Sequence, residues 1–197
     1  MELRLEADWG VEIAPDLPEI AVPWEGFVDL RGNPAGLQSI PEAADFPALA
    51  RALAVLNDQA SPVFTAKCDV WNVAADEIDP YEFATLSNDA LFGVASYIDV
   101  IEHDPACSAS FAHQEELSAR LTGALRELEL RNGRVDLVVR AAVVDGREGY
   151  GITLYAAGCG ADAASAQASW ESVLGAAVLA TIGAAGSSSS PAPHSGE

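Results

Sequence analysis

Residues 135–157 read VDLVVRAAVVDGREGYGITLYAA, which is two apolar runs joined by DGREG. The runs at 135–144 and 150–157 are rich in the β-branched and aromatic residues that favour strands. Asp145-Gly146 between such runs is a strong signal for a tight turn. The stretch therefore predicts a β-hairpin, the most secure element of the chain.

Elements on either side of this hairpin alternate between strand and helix patterns. Residues 62–73 and 91–103 are strand-like, and a polar, acidic stretch of about sixteen residues lies between them. A helix is predicted over 111–131, with Ser110 as its cap and a stop at Asn132-Gly133. Its apolar stripe, which we expect to be buried, consists of Leu117, Leu121, Ala124, Leu125 and Leu128.

The two ends of the chain are less regular. Short strands are predicted at 20–22 and 24–30, and a helix over 162–182. An earlier helix ends at Asn57 and starts either at the capping box 39–42 or at a restart before Pro47, capped by Asp45.

This order of elements predicts one α+β domain. Helices are too few for a doubly wound parallel sheet. We expect an antiparallel or mixed sheet with two to three helices packed mainly on one face, in a ferredoxin-like or a repeated ββα plan. The domain is predicted to span 1–182, and 183–197 are predicted to be a disordered tail because they are small, polar and proline-containing.

Charge limits the possible partners. The chain has 30 acidic and 10 basic residues, a net charge of −20, and Lys67 is its one lysine. This negative charge repels phosphate backbones and anionic membrane surfaces, so neither nucleic acid nor a membrane is an expected partner. It favours solubility and basic partners.

Cysteine use and apolar runs predict a cytoplasmic chain. The three cysteines are an odd number without CxxC spacing, which favours free, reduced thiols. No signal peptide and no run of about 18 apolar residues is present.

Three local patterns resemble functional motifs, but each is better explained by structure. Gly158 to Ala163 matches G-x-G-x-x-A, yet no strand follows the next helix, which favours a glycine turn into an Asp162-capped helix. The run Glu102-His103-Asp104 with Cys107 and His113 offers metal donors, but His-x3-Cys-x5-His is not a recognised spacing, and no metal or other cofactor is predicted.

The third pattern is Cys68-Asp69, a possible nucleophile and its neighbour. Alternation places Phe64, Ala66, Cys68 and Val70 on one apolar face of their strand. Cys68 is therefore predicted to be a small core residue with an ordinary or raised pKa, and no catalytic residue is assigned.

The opposite faces of the strands suggest a binding surface. Alternation places aromatic and charged residues together on the side away from the apolar faces, where they describe either a ligand floor or a partner surface. A solvated face with cross-strand charge pairs is the equally weighted alternative. The predicted surface consists of Lys67, Asp69, Trp71, Tyr97, Asp99, His103, Arg140 and Tyr155.

Two classes of function fit this surface. The favoured one is an acidic binding or assembly protein, which docks a protein partner, a basic one by charge, or a second copy of itself. The alternative is a small enzyme or small-molecule binder. In that alternative His103 acts as acid and base, Asp69 or Asp99 orients it, and Lys67 holds an anion.

Overall fold

The computed structural model describes residues 3–7, 20–83, 85, 90–128 and 130–187, with side chains from residue 20 onward. The predicted 183–197 tail lies mostly outside these residues. Within them, the chain forms six strands: β1 (Leu3–Ala7), β2 (Ile20–Val22), β3 (Val63–Val73), β4 (Phe92–Glu102), β5 (Gly133–Val144) and β6 (Arg147–Gly160).

The described strands form one mixed sheet in the order β1-β5-β6-β4-β3. β2 lies beside β5 on the same edge as β1, and both run parallel to β5, whereas all other neighbours are antiparallel. The β5–β6 hairpin is confirmed, and Asp145 and Gly146 at its turn have φ of +51° and +76°. Positive φ at both positions is what a two-residue turn of this kind requires.

Helices cover one face of this sheet. The helices α2 (Pro47–Leu56), α4 (Phe111–Arg126) and α5 (Ala163–Gly186) contribute buried apolar residues to the main core. Strand residues such as Ile98, Leu137 and Leu154 complete it. An α+β class is therefore the fold class of the chain. The described helices are α1 (Pro41–Asp45), α2 (Pro47–Leu56), α3 (Pro105–Ser108), α4 (Phe111–Arg126) and α5 (Ala163–Gly186), with 3₁₀ turns at Pro34–Ser39 and Ala75–Glu77.

The sheet curls strongly, so that its two edges meet at one end. β2 and β3 lie on opposite edges and contact each other. A second apolar cluster fills the fold between them, on the side away from the helices; its buried members are Ile20, Val22, Phe64, Ala66, Ile101 and Ala142. The result is a barrel-like sheet, and a ferredoxin-like plan is not confirmed.

α5 lies directly against β6 at two glycines. A Cβ atom on Gly158 would lie 2.1 Å from the backbone nitrogen of Trp170, and one on Gly160 would lie 2.6 Å from that of Ala166. Asp162 caps the helix by accepting a hydrogen bond from the Ser165 N–H at 2.8 Å. The G-x-G-x-x-A pattern is thus explained by close packing and a helix cap.

A bulge in β3 changes which residues face the helices. The β3–β4 register shifts between Thr65 and Cys68. Phe64 and Ala66 therefore pack in the second cluster, while Cys68 packs against the main core. The prediction that Phe64, Ala66, Cys68 and Val70 share one face was wrong, because one extra residue in a strand reverses all side chains beyond it.

Other predicted boundaries were shifted for identifiable reasons. Residues 24–30 are not a strand, because the Phe27 N–H bonds to the Trp24 carbonyl and Gly26 has φ of +92°. The extended Phe46 before Pro47 divides the first helix into α1 and α2. Neither predicted cap occurs, because the N-cap residues are Ile40 and Phe46 and no side chain caps either helix. α5 continues past the predicted end at 182 to Gly186, with Ala184 and Ala185 buried.

α5 is also apolar enough, by length and composition, to cross a membrane. Its residues from Ala166 to Ala185 include a buried stripe packed on the sheet. A core helix meets the same criteria, so the hydropathy of α5 is weak evidence for a membrane span.

Replacing Gly158 with Ala should destabilise the protein by about 1–3 kcal/mol or more, because the new methyl group overlaps the α5 backbone. The matched control is Gly175→Ala on the exposed side of α5, where a Cβ meets nothing within 4 Å. That change should stabilise the helix by roughly 0.5–1 kcal/mol. Urea unfolding followed by circular dichroism measures both; equal effects would contradict the close contact.

Leu125→Ala in α4 should cost about 2–5 kcal/mol, because Leu125 is fully buried. Leu128 was assigned to the same stripe but lies beyond the end of α4 and is 43% exposed. Leu128→Ala should therefore change stability by less than about 0.5 kcal/mol. The same unfolding measurement tests the pair, and a similar loss in both variants would refute this assignment of the core.

Candidate functional site

Three aromatic rings form a ladder across the middle of the sheet, on the side away from the helices. Trp71 of β3, Tyr97 of β4 and Tyr155 of β6 are neighbours, with ring-centroid separations of 6.4 Å and 6.0 Å. Trp71 is 41% exposed, and the two tyrosines are half-buried. The structure thus brings three of the predicted surface residues together in what we call the aromatic ladder.

A carboxylate lies at each end of this row. Asp69 is opposite Tyr97 in the β3–β4 register, and Asp136 is opposite Tyr155 in the β5–β6 register. Asp136 forms an ion pair with Arg134. Asp69 is exposed, and within the described part of the chain it makes no ion pair. The outer end of the row near β3 therefore carries an uncompensated negative charge.

A buried chain of hydrogen bonds, here called the polar network, lies beside the aromatic ladder. Thr153 Oγ1 donates to Asp99 Oδ1 at 2.6 Å and accepts from Arg140 Nε at 3.1 Å. Arg140 Nη2 also donates to the Tyr155 hydroxyl at 3.3 Å. The polar network links three adjacent strands and ties the ladder to the buried carboxylate.

Burial dominates the titration of two groups in this region. It raises the pKa of Asp99, and the hydrogen bond from Thr153 and the charges of Lys67 and Arg140 oppose that shift. Burial, together with the carboxylates of Asp99 and Asp69, raises the pKa of Tyr97 to about 12. Tyr97 is therefore a neutral phenol at physiological pH.

Lys67 lies at the β3 bulge and is held by an aromatic residue that sequence reasoning did not assign to the surface. Its ammonium group is 5.6 Å from the centre of the Trp24 ring. Trp24 Nε1 in turn donates to the Ala66 carbonyl at 3.2 Å. No local pattern signals this contact, because more than forty positions separate the two residues.

His103 is not brought to this group. Its ring packs on Phe64 with a centroid separation of 5.1 Å, near the Asp29–Arg31 ion pair. Burial and the Arg31 charge lower the pKa of His103. It follows Asp99 by four positions, just beyond the end of β4, a span of roughly 13 Å. The imidazole therefore cannot hydrogen-bond to that carboxylate.

Cys68 has the character predicted for a core thiol. Burial, followed by the charges of Glu42 and two aspartates, raises its pKa to about 12. A thiol with such a pKa is protonated at neutral pH and is a poor nucleophile.

The chain matches no protein-family model, and the searches of curated proteins and of solved structures likewise found no match.

The pH dependence of stability tests the burial of Asp99. Because folding raises its pKa above 3.8, its favourable contribution is complete below that pH and is lost as the pH rises through the folded pKa. The stability of the wild type relative to Asp99→Asn should therefore fall as the pH rises above 3.8. Urea unfolding of both proteins at a series of pH values measures the difference.

Thr153→Val provides the comparison. It removes the hydroxyl that hydrogen-bonds Asp99, so the pKa of Asp99 should rise further and the loss should extend to higher pH. A stability difference that does not vary with pH would contradict the burial of an ionisable Asp99.

Proposed function

We propose that this chain is a binding protein that docks a basic protein partner on the aromatic ladder. The observation that carries the proposal is a row of partly exposed aromatic rings ending in the exposed carboxylate of Asp69. Faces of Trp and Tyr rings attract cationic side chains, and a nearby carboxylate adds an ion pair. The row therefore has the chemistry to hold an arginine or a lysine of the partner.

Rigidity supports this role. Tyr155 is bonded to the polar network and Tyr97 is packed between two other rings, so little side-chain entropy is lost on docking. Trp and Tyr are also the residues that most often dominate binding energy at interfaces.

Charge favours a basic partner over a second copy. The net charge of −20 accelerates encounter with a positively charged protein. Two copies of the chain carry the same charge and repel each other, which disfavours self-association at low salt.

The repeated ββα plan is part of the same proposal. Two runs, β3-β4-α4 and β5-β6-α5, follow each other along the chain. Their inner strands β4 and β6 are antiparallel neighbours, and Tyr97 and Tyr155 meet across that pairing. In this plan, the junction of the two runs is the centre of the docking surface.

The shape of the surface also favours a protein over a small molecule. The depression beside the ladder, lined by residues including Trp71, Phe83 and Arg134, has a volume of about 270 Å³. Pockets that hold drug-sized ligands usually exceed about 300 Å³. The enzyme alternative needs His103 beside Asp99 or Asp69, and the roughly 13 Å span along β4 separates it from Asp99.

The test compares what the full chain retains from a lysate of its source organism. Wild type and Trp71→Ala would be immobilised, and the bound proteins quantified by mass spectrometry. We expect the wild type to retain at least one basic protein, and Trp71→Ala to bind it about 30-fold more weakly, since truncating an interface hot spot costs about 2 kcal/mol. Asp69→Asn should weaken binding and reduce its salt dependence.

Two control variants remove an apolar side chain or a negative charge elsewhere on the surface. Leu179→Ala deletes an exposed apolar side chain of α5, and Glu116→Gln removes one exposed charge of α4. Both should bind like the wild type, and circular dichroism should confirm that all variants fold. If the same basic protein is retained equally by Trp71→Ala and by the controls, the aromatic ladder is not its docking site.

A further inference from the structure

A second group of reactive side chains lies at the other end of β4, against the helices. Glu102 is the last residue of β4, Cys107 lies in α3, and His113 lies in the first turn of α4. One donor atom from each residue lies within 4.8 Å of the other two. This convergence is independent of the aromatic ladder, because Glu102 faces α4 whereas Tyr97 faces away from it.

The sequence pattern offers these three donors together with His103 and Asp104. In the run Glu102-His103-Asp104, alternation along β4 sends His103 to the face away from α4, where it packs on Phe64. Glu102 takes its place beside His113. The spacing His-x3-Cys-x5-His was therefore uninformative, since one of its histidines does not belong to the group.

Glu102 is a buried carboxylate that is held in position by its neighbours. Its side chain is 5% exposed, and His113 Nε2 lies 2.9 Å from Oε2 and 3.1 Å from Oε1. Buried Gln114 donates from Nε2 to Glu102 Oε2 at 2.7 Å and to the Cys107 carbonyl at 3.3 Å. Gln114 thus fixes both the carboxylate and the turn that carries the thiol, as residues around metal ligands commonly do.

We propose that Glu102, Cys107 and His113 bind one divalent transition-metal ion, and that Zn²⁺ is the ion these donors fit. Carboxylate oxygen, thiolate sulfur and imidazole nitrogen are all zinc ligands, with bond lengths of about 2.0–2.3 Å. Tetrahedral coordination places such donors about 3.5 Å apart. On binding, His113 Nε2 and the Glu102 oxygens, now 2.9 and 3.1 Å apart, would move slightly apart, and the wider donor spacings within the 4.8 Å limit would shorten.

The surroundings favour a cation. Binding of the ion to Cys107 forms the Zn–S bond and releases the thiol proton to solvent, which makes affinity rise with pH. The overall charge of −20 also attracts cations.

Three protein ligands leave one coordination position for water. Glu102 also lines a pocket of about 240 Å³, together with Pro105 and Ser108 among others.

Titration of the chelator-stripped full chain with zinc chloride alone tests the proposal. Isothermal titration in the presence of a hundredfold excess of Mg²⁺ should give one Zn²⁺ per chain. Cys107→Ser and His113→Asn should each weaken binding at least tenfold. The matched controls Cys68→Ser and His103→Asn remove the same donor types outside the site and should bind like the wild type.

Cobalt substitution gives a second readout that needs no variant. Co²⁺ bound to the wild type should show the near-ultraviolet absorption of a thiolate–cobalt bond, and this absorption should be absent from Cys107→Ser and present in Cys68→Ser. No Zn²⁺ binding above the excess Mg²⁺, no thiolate absorption with Co²⁺, or equal loss in His103→Asn and His113→Asn would each overturn the proposal. In those cases Glu102 and His113 share only a hydrogen bond.

Discussion

The contact between α5 and β6 is the constraint on which the other packing depends. Gly158 and Gly160 let the helix backbone approach the strand more closely than any side chain would permit. That approach buries Trp170 completely, with its Nε1 donating to Ser96 Oγ of β4 at 2.9 Å and its ring edge-on to Phe46 between α1 and α2. Deleting such a ring typically costs about 3–5 kcal/mol. Trp170 therefore contacts both antiparallel strand pairs of the sheet and the N-terminal helices.

Because the helices cover one face of the sheet, the apolar side chains on the other face must be buried by the curvature of the sheet. Curling brings β2 onto β3 and closes one end with apolar side chains. A smaller cluster of Ile78, Phe83 and Cys159 covers part of the other end. The middle is left to the aromatic ladder and the polar network. The aromatic ladder stays partly exposed at that place as a consequence of how the two ends are covered.

Local sequence patterns predict most of the helices and strands. The features they miss depend on contacts between residues that are distant in the sequence. Asp145-Gly146 and the alternation around it predicted the β5–β6 hairpin, and Ser110 predicted the start of α4, where it accepts from the His113 N–H at 3.2 Å. The bulge between Thr65 and Cys68 has no signature in residue type, so the faces of β3 were assigned on a regular period. The contacts of Trp24 with Lys67 and of Gln114 with Glu102 arise from tertiary packing. Sequence periodicity does not predict such contacts.

The bulged edge of β3 also bears on how the protein behaves at high concentration. An eleven-residue edge strand presents free backbone groups that can template pairing with other chains. Here the Ala66 carbonyl is already occupied by the Trp24 indole, the bulge breaks the regular spacing of donors, and Lys67 places a charge at the same point. These are the devices by which natural sheets block strand addition. Fibril growth from this edge is therefore disfavoured over the bulged stretch, even though the sheet is not fully closed.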